Sequence, residues 1–176
     1  MKSLKIINEI LEKNQVNKAI NMSRPLLDKI YQEREGEQID RSMIKNVVQL
    51  LIEMRMNSLN TYEKGFEGPL IQETAAFYKR ESAKWIEEDS CPDYMKKVEK
   101  RLQEEQERAV AYLHKNTEQK LIRVVEIELI ANHQKNLLEM EHSGFIAQLK
   151  NYQVDGNKKK KILKINLFLF FSILIN

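Results

Sequence analysis

Only 5 glycines and 3 prolines occur in 176 residues, so the chain has few places to turn. Glycine and proline are the strongest local interrupters of regular structure, and their scarcity leaves long uninterrupted elements. Good helix formers (Glu, Lys, Leu, Gln, Ala, Met) fill the stretches between them, and β-branched residues seldom alternate as a strand would require. These two facts imply an all-α fold class: a few long helices joined by short connections. The length suffices for one domain with a real core.

The periodicity predicts a first short amphipathic helix over Leu4 to Lys13, with Leu4, Ile7 and Leu11 on one face. Pro25 is expected to interrupt the helical pattern beyond it, because proline inside a helix costs roughly 3 kcal/mol. A fresh helix capped by Ser23 would then run to about Glu35 and stop at Gly36. Asp40 caps a third helix to about Leu59, with Ile44, Val47, Val48, Leu51 and Met54 facing inward. Asn60 to Gly68 reads as a loop. Gly68-Pro69 opens a fourth helix reaching about Glu88, whose inward face is Leu70, Thr74, Phe77, Tyr78 and Trp85.

A break at Asp89-Ser90-Cys91-Pro92 supplies the cap of a fifth helix, to about His114. Met95, Val98, Leu102, Ala109 and Leu113 line one side, and such a helix would span roughly 35 Å. Asn116-Thr117 starts the last long helix, to about His142, with Leu121, Ile122, Val125, Leu129, Ile130 and Leu137 inward. Gly144 stops it, and a short helical turn to Lys150 comes next. The apolar stripes are wide, as in a packed bundle, and not the narrow seam of a free coiled coil. No internal repeat of 20–50 residues is visible.

The net charge of +3 is unevenly placed: residues 153–176 carry +4, which leaves −1 on residues 1–152. A nearly neutral body offers no field for nucleic acid or anionic lipid. The single cysteine, Cys91, excludes an intrachain disulfide framework and suits a reducing compartment. Met1 to Asn14 mixes charged and apolar residues and lacks the pattern of a signal peptide. Residues 157–176 are of a different kind. Lys158-Lys159-Lys160-Lys161 precedes the almost wholly apolar Leu167 to Ile175. From Ile162 the run is shorter than the ~20 residues of a membrane span and is interrupted by Lys164, Asn166 and Ser172. Its residue types suit translated A/T-rich non-coding sequence, and a truncated or mispredicted reading frame is the favoured account.

Candidate chemistry is sparse. Glu139 and His142 have the Glu-x-x-His spacing of di-iron bundles, which need two such pairs. Only one is present, since neither His114 nor His133 has a glutamate three residues earlier. No two histidines flank a glutamate in the zinc-protease pattern, and no phosphate-binding glycine loop exists. Cys91 at a helix start could have a lowered pKa, but no histidine near it in sequence supports a nucleophile. Lys96, Lys97, Lys100 and Arg101 could form a phosphate-binding face; Glu99, Glu104, Glu105 and Glu107 among them favour a salt-bridged solvated face. Trp85, Phe77 and Tyr78 could anchor a partner, yet their helical spacing places them in the core. No catalytic, cofactor-binding or metal-binding residue is assigned, and no cofactor is expected.

One spaced pattern runs through the chain from about Gln15 to Tyr152. It comprises Ile39-Asp40-Arg41 with Ile44, Tyr62-Glu63 with Phe66-Glu67 and Pro69, and Phe77-Tyr78 with Glu81-Ser82. It continues through Tyr94, Val98-Glu99, Arg101-Leu102, Glu104-Glu105 and Arg108, then Tyr112-Leu113 and Thr117. Glu128-Leu129-Ile130 with His133, and Met140-Glu141 with Gly144, complete it. In this order and spacing it resembles the N-terminal region of cullins, nearest to the cullin that recruits BTB-domain adaptors. The resemblance implies an elongated helical bundle of cullin-repeat type, covering the end of the first repeat and most of the second. It divides the chain into an unmatched N-terminal helix (1–14), a partial cullin-repeat region (15–152) and a low-complexity tail (153–176). It further implies a non-catalytic scaffold role in a cullin-RING ubiquitin ligase of the cytoplasm or nucleus. The partners would be a BTB-type adaptor and a RING subunit, both contacted by regions with no counterpart here; nucleic acid and membrane are not expected partners. The competing reading is a helical tether or tail-anchored interaction protein using the C-terminal apolar run.

Overall fold

A computed structural model describes residues 2–53 and 62–139. Among these residues all regular structure is helical. The elements are α1 (Lys2–Arg34), α2 (Arg41–Glu53), a π-helical turn (Glu63–Glu67), α3 (Gly68–Glu88), α4 (Cys91–Tyr112), α5 (Lys115–Leu129), a 3-10 turn (Ala131–His133) and α6 (Gln134–Glu139). The expected helix to Leu59 is described only to Glu53, and the expected turn to Lys150 lies outside the described residues.

Several boundaries are set by local chemistry. Gly36 takes φ 97°, and the Glu37 N–H donates to Gln32 O at 3.0 Å while the Gly36 N–H donates to Glu33 O at 3.0 Å. This is the left-handed glycine stop of a helix C-terminus. Asp40 caps α2 through Oδ1, which accepts from the Met43 N–H at 3.0 Å. Ser90 opens α4, its carbonyl accepting from the Tyr94 N–H at 2.9 Å. Pro92 sits in the first turn of α4, where a missing N–H costs little. His114 serves as the cap of α5, with the Asn116 N–H 3.3 Å from Nδ1, one residue earlier than the Asn116-Thr117 start read from the sequence.

Three sequence expectations are overturned. Pro25 does not break the chain: α1 runs through it as one 33-residue helix. The ring is exposed, while Leu26, Leu27 and Ile30 beside it are buried. Burying three such side chains is worth roughly 1.5–3 kcal/mol each, enough to offset the ~3 kcal/mol of the proline. Ser23, expected to cap a new helix, lies inside α1, and its hydroxyl is 2.9 Å from Ile20 O and 2.7 Å from Gly65 O.

The second correction concerns the expected loop, which from Tyr62 onward is a π-helical turn leading straight into α3. Pro69 has no N–H for the Gly65 carbonyl four residues back, and the Ser23 hydroxyl supplies a donor to it. Gly65 faces Ala19 so closely that a Cβ there would fall 2.5 Å from the Ala19 Cβ. The third correction is at Leu129. The last long helix ends there, turns through Ile130 at φ −118° and restarts as α6.

The chain forms two units. The first comprises the described residues to Thr74 together with Gln106–Leu121. Its core contains Leu27, Ile30, Ile44, Val48, Leu51, Phe66, Leu70 and Tyr112. The second comprises Ala75–Glu105 with the described residues from Ile122. Its core contains Phe77, Tyr78, Trp85, Tyr94, Val98, Val125, Leu129, Ile130 and Leu137. The inward face read from periodicity for α3 is the one observed; of the other inward residues expected, Val47, Leu102, Leu113 and Ile122 are only half-buried, and Met54 lies outside the described residues.

Candidate functional site

The polar chemistry of the chain is concentrated in its interior. In the first unit Glu33 is buried, and its two carboxylate oxygens serve three donors. Oε1 accepts from Arg41 Nε at 2.6 Å; Oε2 accepts from Arg108 Nε at 3.2 Å and from the Tyr112 hydroxyl at 2.8 Å. Arg108 is itself buried. Three donors, two of them on cations, satisfy the buried carboxylate. The carboxylate raises the pKa of Arg41 through their hydrogen bond.

Next to it along α1, Arg34 donates to Thr74 Oγ1 at 2.7 Å, and Thr74 donates to Leu70 O at 2.7 Å. Tyr62 and Thr117 share a buried hydrogen bond of 2.9 Å. Burial raises the Tyr62 phenol pKa. Glu67 is buried, and Lys120 Nζ lies 2.7 Å from its Oε1. The contact is an ion pair, and the carboxylate raises the Lys120 pKa.

In the second unit Glu105 is fully buried and accepts from the Tyr78 hydroxyl at 2.8 Å. Arg101 donates to Glu81 at 2.9 Å and to Glu104 at 3.0 Å, and its guanidinium lies 5.9 Å from the Phe77 ring centre. Tyr94 donates to Leu129 O at 2.6 Å, and burial pushes its phenol pKa far up.

The residues singled out from sequence fall into place. Lys96 pairs with Asp93 at 2.7 Å, Lys97 with Asp89 at 2.6 Å and Lys100 with Glu104 at 3.8 Å. With Arg101 also paired, this is a salt-bridged face; Glu104 takes part in it as expected, whereas Glu105, expected there too, is fully buried. Trp85, Phe77 and Tyr78 are core residues. Cys91 is buried, and burial raises its pKa, which keeps it a neutral thiol. Glu139 is exposed at the end of α6, and His142 lies outside the described residues. Among the described residues no group of three or more His, Cys, Asp or Glu could hold a metal ion.

Sequence reasoning missed the buried carboxylates. One signal was there: Val98, Leu102, Glu105, Ala109 and Tyr112 are spaced four, three, four and three apart, which puts Glu105 on the apolar face of α4. The same spacing marks Glu33, which follows Ala19, Ser23, Leu26 and Ile30 at steps of four, three, four and three, although its three partners come from α2 and α4.

The arrangement is one of internal ties between helices, and the sequence that builds it matches a known family. The Cullin alpha solenoid domain model matches residues 5–167. The chain belongs to the cullin family. This cullin chain is 51% identical over 122 residues to putative cullin-like protein 2 of Arabidopsis thaliana, covering 69% of the chain and 33% of the relative. It is 48% identical over 134 residues to Cullin-3 of Dictyostelium discoideum, covering 76% of the chain and 17% of that protein. It is 45% identical over 126 residues to Cullin-2 of Arabidopsis thaliana, covering 72% and 17%. The cullin chain thus spans a third or less of the length of these curated relatives. The family match agrees with the all-α fold, since the domain is a helical solenoid and the described residues contain no strand. Among the described residues of this cullin chain, no helix is long and apolar enough to cross a membrane. The apolar run Leu167 to Ile175 lies outside them.

Proposed function

We propose that the chain is a scaffold segment of a cullin-RING ubiquitin ligase, supporting ubiquitin-dependent protein breakdown without catalysing a step itself. The observation that carries this reading is the 48% identity to Cullin-3 of Dictyostelium discoideum across 76% of the chain. A ligase scaffold holds a substrate and a charged ubiquitin carrier at a set separation, which raises the concentration of one at the other. Helices tied by buried ion pairs and continuous apolar faces suit that task, and a flexible linker would not.

The finer parts of the proposal are these. The adaptor is of the BTB class and the other partner is a RING subunit, both engaging cullin regions beyond this chain, in the cytoplasm or nucleus. The repeat region is 15–152, with 1–14 and 153–176 apart from it. The family match, 5–167, runs into both of these flanks and ends where the apolar run Leu167 to Ile175 begins.

The test is immunoprecipitation from the native source with an antibody to residues 92–115. A chain far heavier than 20.9 kDa that brings down a RING subunit and a BTB protein is the expected result. A 20.9 kDa chain that brings down neither overturns the scaffold role.

A further inference from the structure

Ser90 lies in the two-residue connection between α3, which ends at Glu88, and α4, which begins at Cys91. Its hydroxyl is at the surface and donates to Asp93 Oδ2 at 2.7 Å. Glu87, Glu88 and Asp89 precede it directly, and Asp93 stands three positions after it. No other serine or threonine of the chain has carboxylates within three positions on both sides. The two flanking aspartates also hold lysines. Lys96 Nζ lies 2.7 Å from Asp93 Oδ1, so one carboxylate joins the Ser90 hydroxyl to a cation. Lys97 Nζ lies 2.6 Å from Asp89 Oδ2 and 5.5 Å from the Trp85 ring centre.

We propose that Ser90 is a phosphorylation site for an acid-directed protein kinase, and that the phosphate draws Lys96 and Lys97 off Asp93 and Asp89. A kinase whose peptide groove is basic selects a hydroxyl by the carboxylates around it, and Ser90 has them on both sides. In the transfer Ser90 Oγ bonds to the γ-phosphorus of ATP, the bond from that phosphorus to the β-bridging oxygen breaks, and ADP leaves. The hydroxyl proton passes to the catalytic base of the kinase. The esterified oxygen no longer donates to Asp93, and nearly two negative charges now stand beside that carboxylate. Asp93 is repelled, while the two lysines gain an anion of higher charge. The N-terminus of α4 favours negative charge at the same place. The first turn of α4 must open for a kinase to read Asp93, and helix ends are where local opening costs least. Cys91, buried in that turn, leaves the core when it does, so the folded chain is modified more slowly than a flexible peptide.

The test uses the full chain with MgATP and an acid-directed serine/threonine kinase, and a base-directed kinase as control. Intact mass and peptide mapping count and place the phosphate. The expected result is one phosphate on Ser90 from the first kinase and none there from the second. Ser90→Asn, which keeps a side chain able to cap α4 but has no hydroxyl, should lose it. No incorporation into the folded chain, even where a synthetic peptide of residues 84–98 is modified, overturns the site. Incorporation undiminished in Ser90→Asn overturns it as well. For the exchange of partners, phosphoserine is placed at position 90 during translation. The side-chain resonances of Lys96 and Lys97 should shift, and the emission of Trp85, the single tryptophan, should change as Lys97 leaves its ring. Lysine resonances that stay where they are in the unmodified chain overturn the exchange.

Discussion

Gly65 and Ala19 meet at a close backbone approach in the first unit, where a Cβ on Gly65 would lie 2.5 Å from the Ala19 Cβ and 3.5 Å from the Ala19 backbone. The π-helical turn brings the glycine to α1, and Ser23, one helical turn on from Ala19, bonds the Gly65 carbonyl. Gly65→Ala should therefore push α1 away from the turn and disturb that hydrogen bond. A loss of about 1–3 kcal/mol is expected, as for other overpacked cores. Gly36→Ala meets no atom but must hold a left-handed φ, and should cost only about 1 kcal/mol. Urea melts of the two variants check the order.

Glu33 is the hub of three helices, so Glu33→Ala should be among the most destabilising single changes. It removes the acceptor shared by Arg41, Arg108 and Tyr112 while Arg108 remains buried. Breaking a buried ion pair from one side costs about 3–5 kcal/mol. Glu104→Ala, on a partly exposed carboxylate, should cost no more than about 1 kcal/mol. Equal thermal shifts for the two would contradict the assignment of Glu33 as the hub.

Tyr94→Phe isolates a single hydrogen bond. The ring stays in the core while the Leu129 carbonyl loses the donor that replaces its helical one. The expected loss is about 1–3 kcal/mol, the cost of a buried polar group left unsatisfied. Val125→Asp, at a fully buried position of the same unit, should cost several kcal/mol more by burying a carboxylate with no partner. Thermal melts showing Val125→Asp unchanged would mean that Val125 does not face the core.

Cys91 should resist alkylation. It is buried and its thiol pKa is raised, so little thiolate is present at neutral pH. Iodoacetamide at pH 7.5 should modify it slowly in the native chain and rapidly in denaturant, as read by intact mass. Equal rates would show that α4 does not shield its first turn.

The helical class, the stops at Gly36 and Ser90, the cap at Asp40 and most of the inward faces are legible in the residues alone. Each of these is a local matter: a left-handed φ, a side-chain cap or a spacing of three and four acts within one or two turns. Glu105 could have been read the same way from its place between Leu102 and Ala109. The continuity of α1 through Pro25, the π-helical turn at Glu63–Glu67 and the break at Ile130 emerge only when the helices pack. Each balances a local cost against burial or a hydrogen bond supplied from far along the chain. Leu26, Leu27 and Ile30 offset Pro25, Ser23 answers the carbonyl that Pro69 cannot, and Tyr94 answers the carbonyl at Leu129. The donor lies 35 positions away in sequence for Leu129 and 42 for Gly65, beyond the reach of any local pattern.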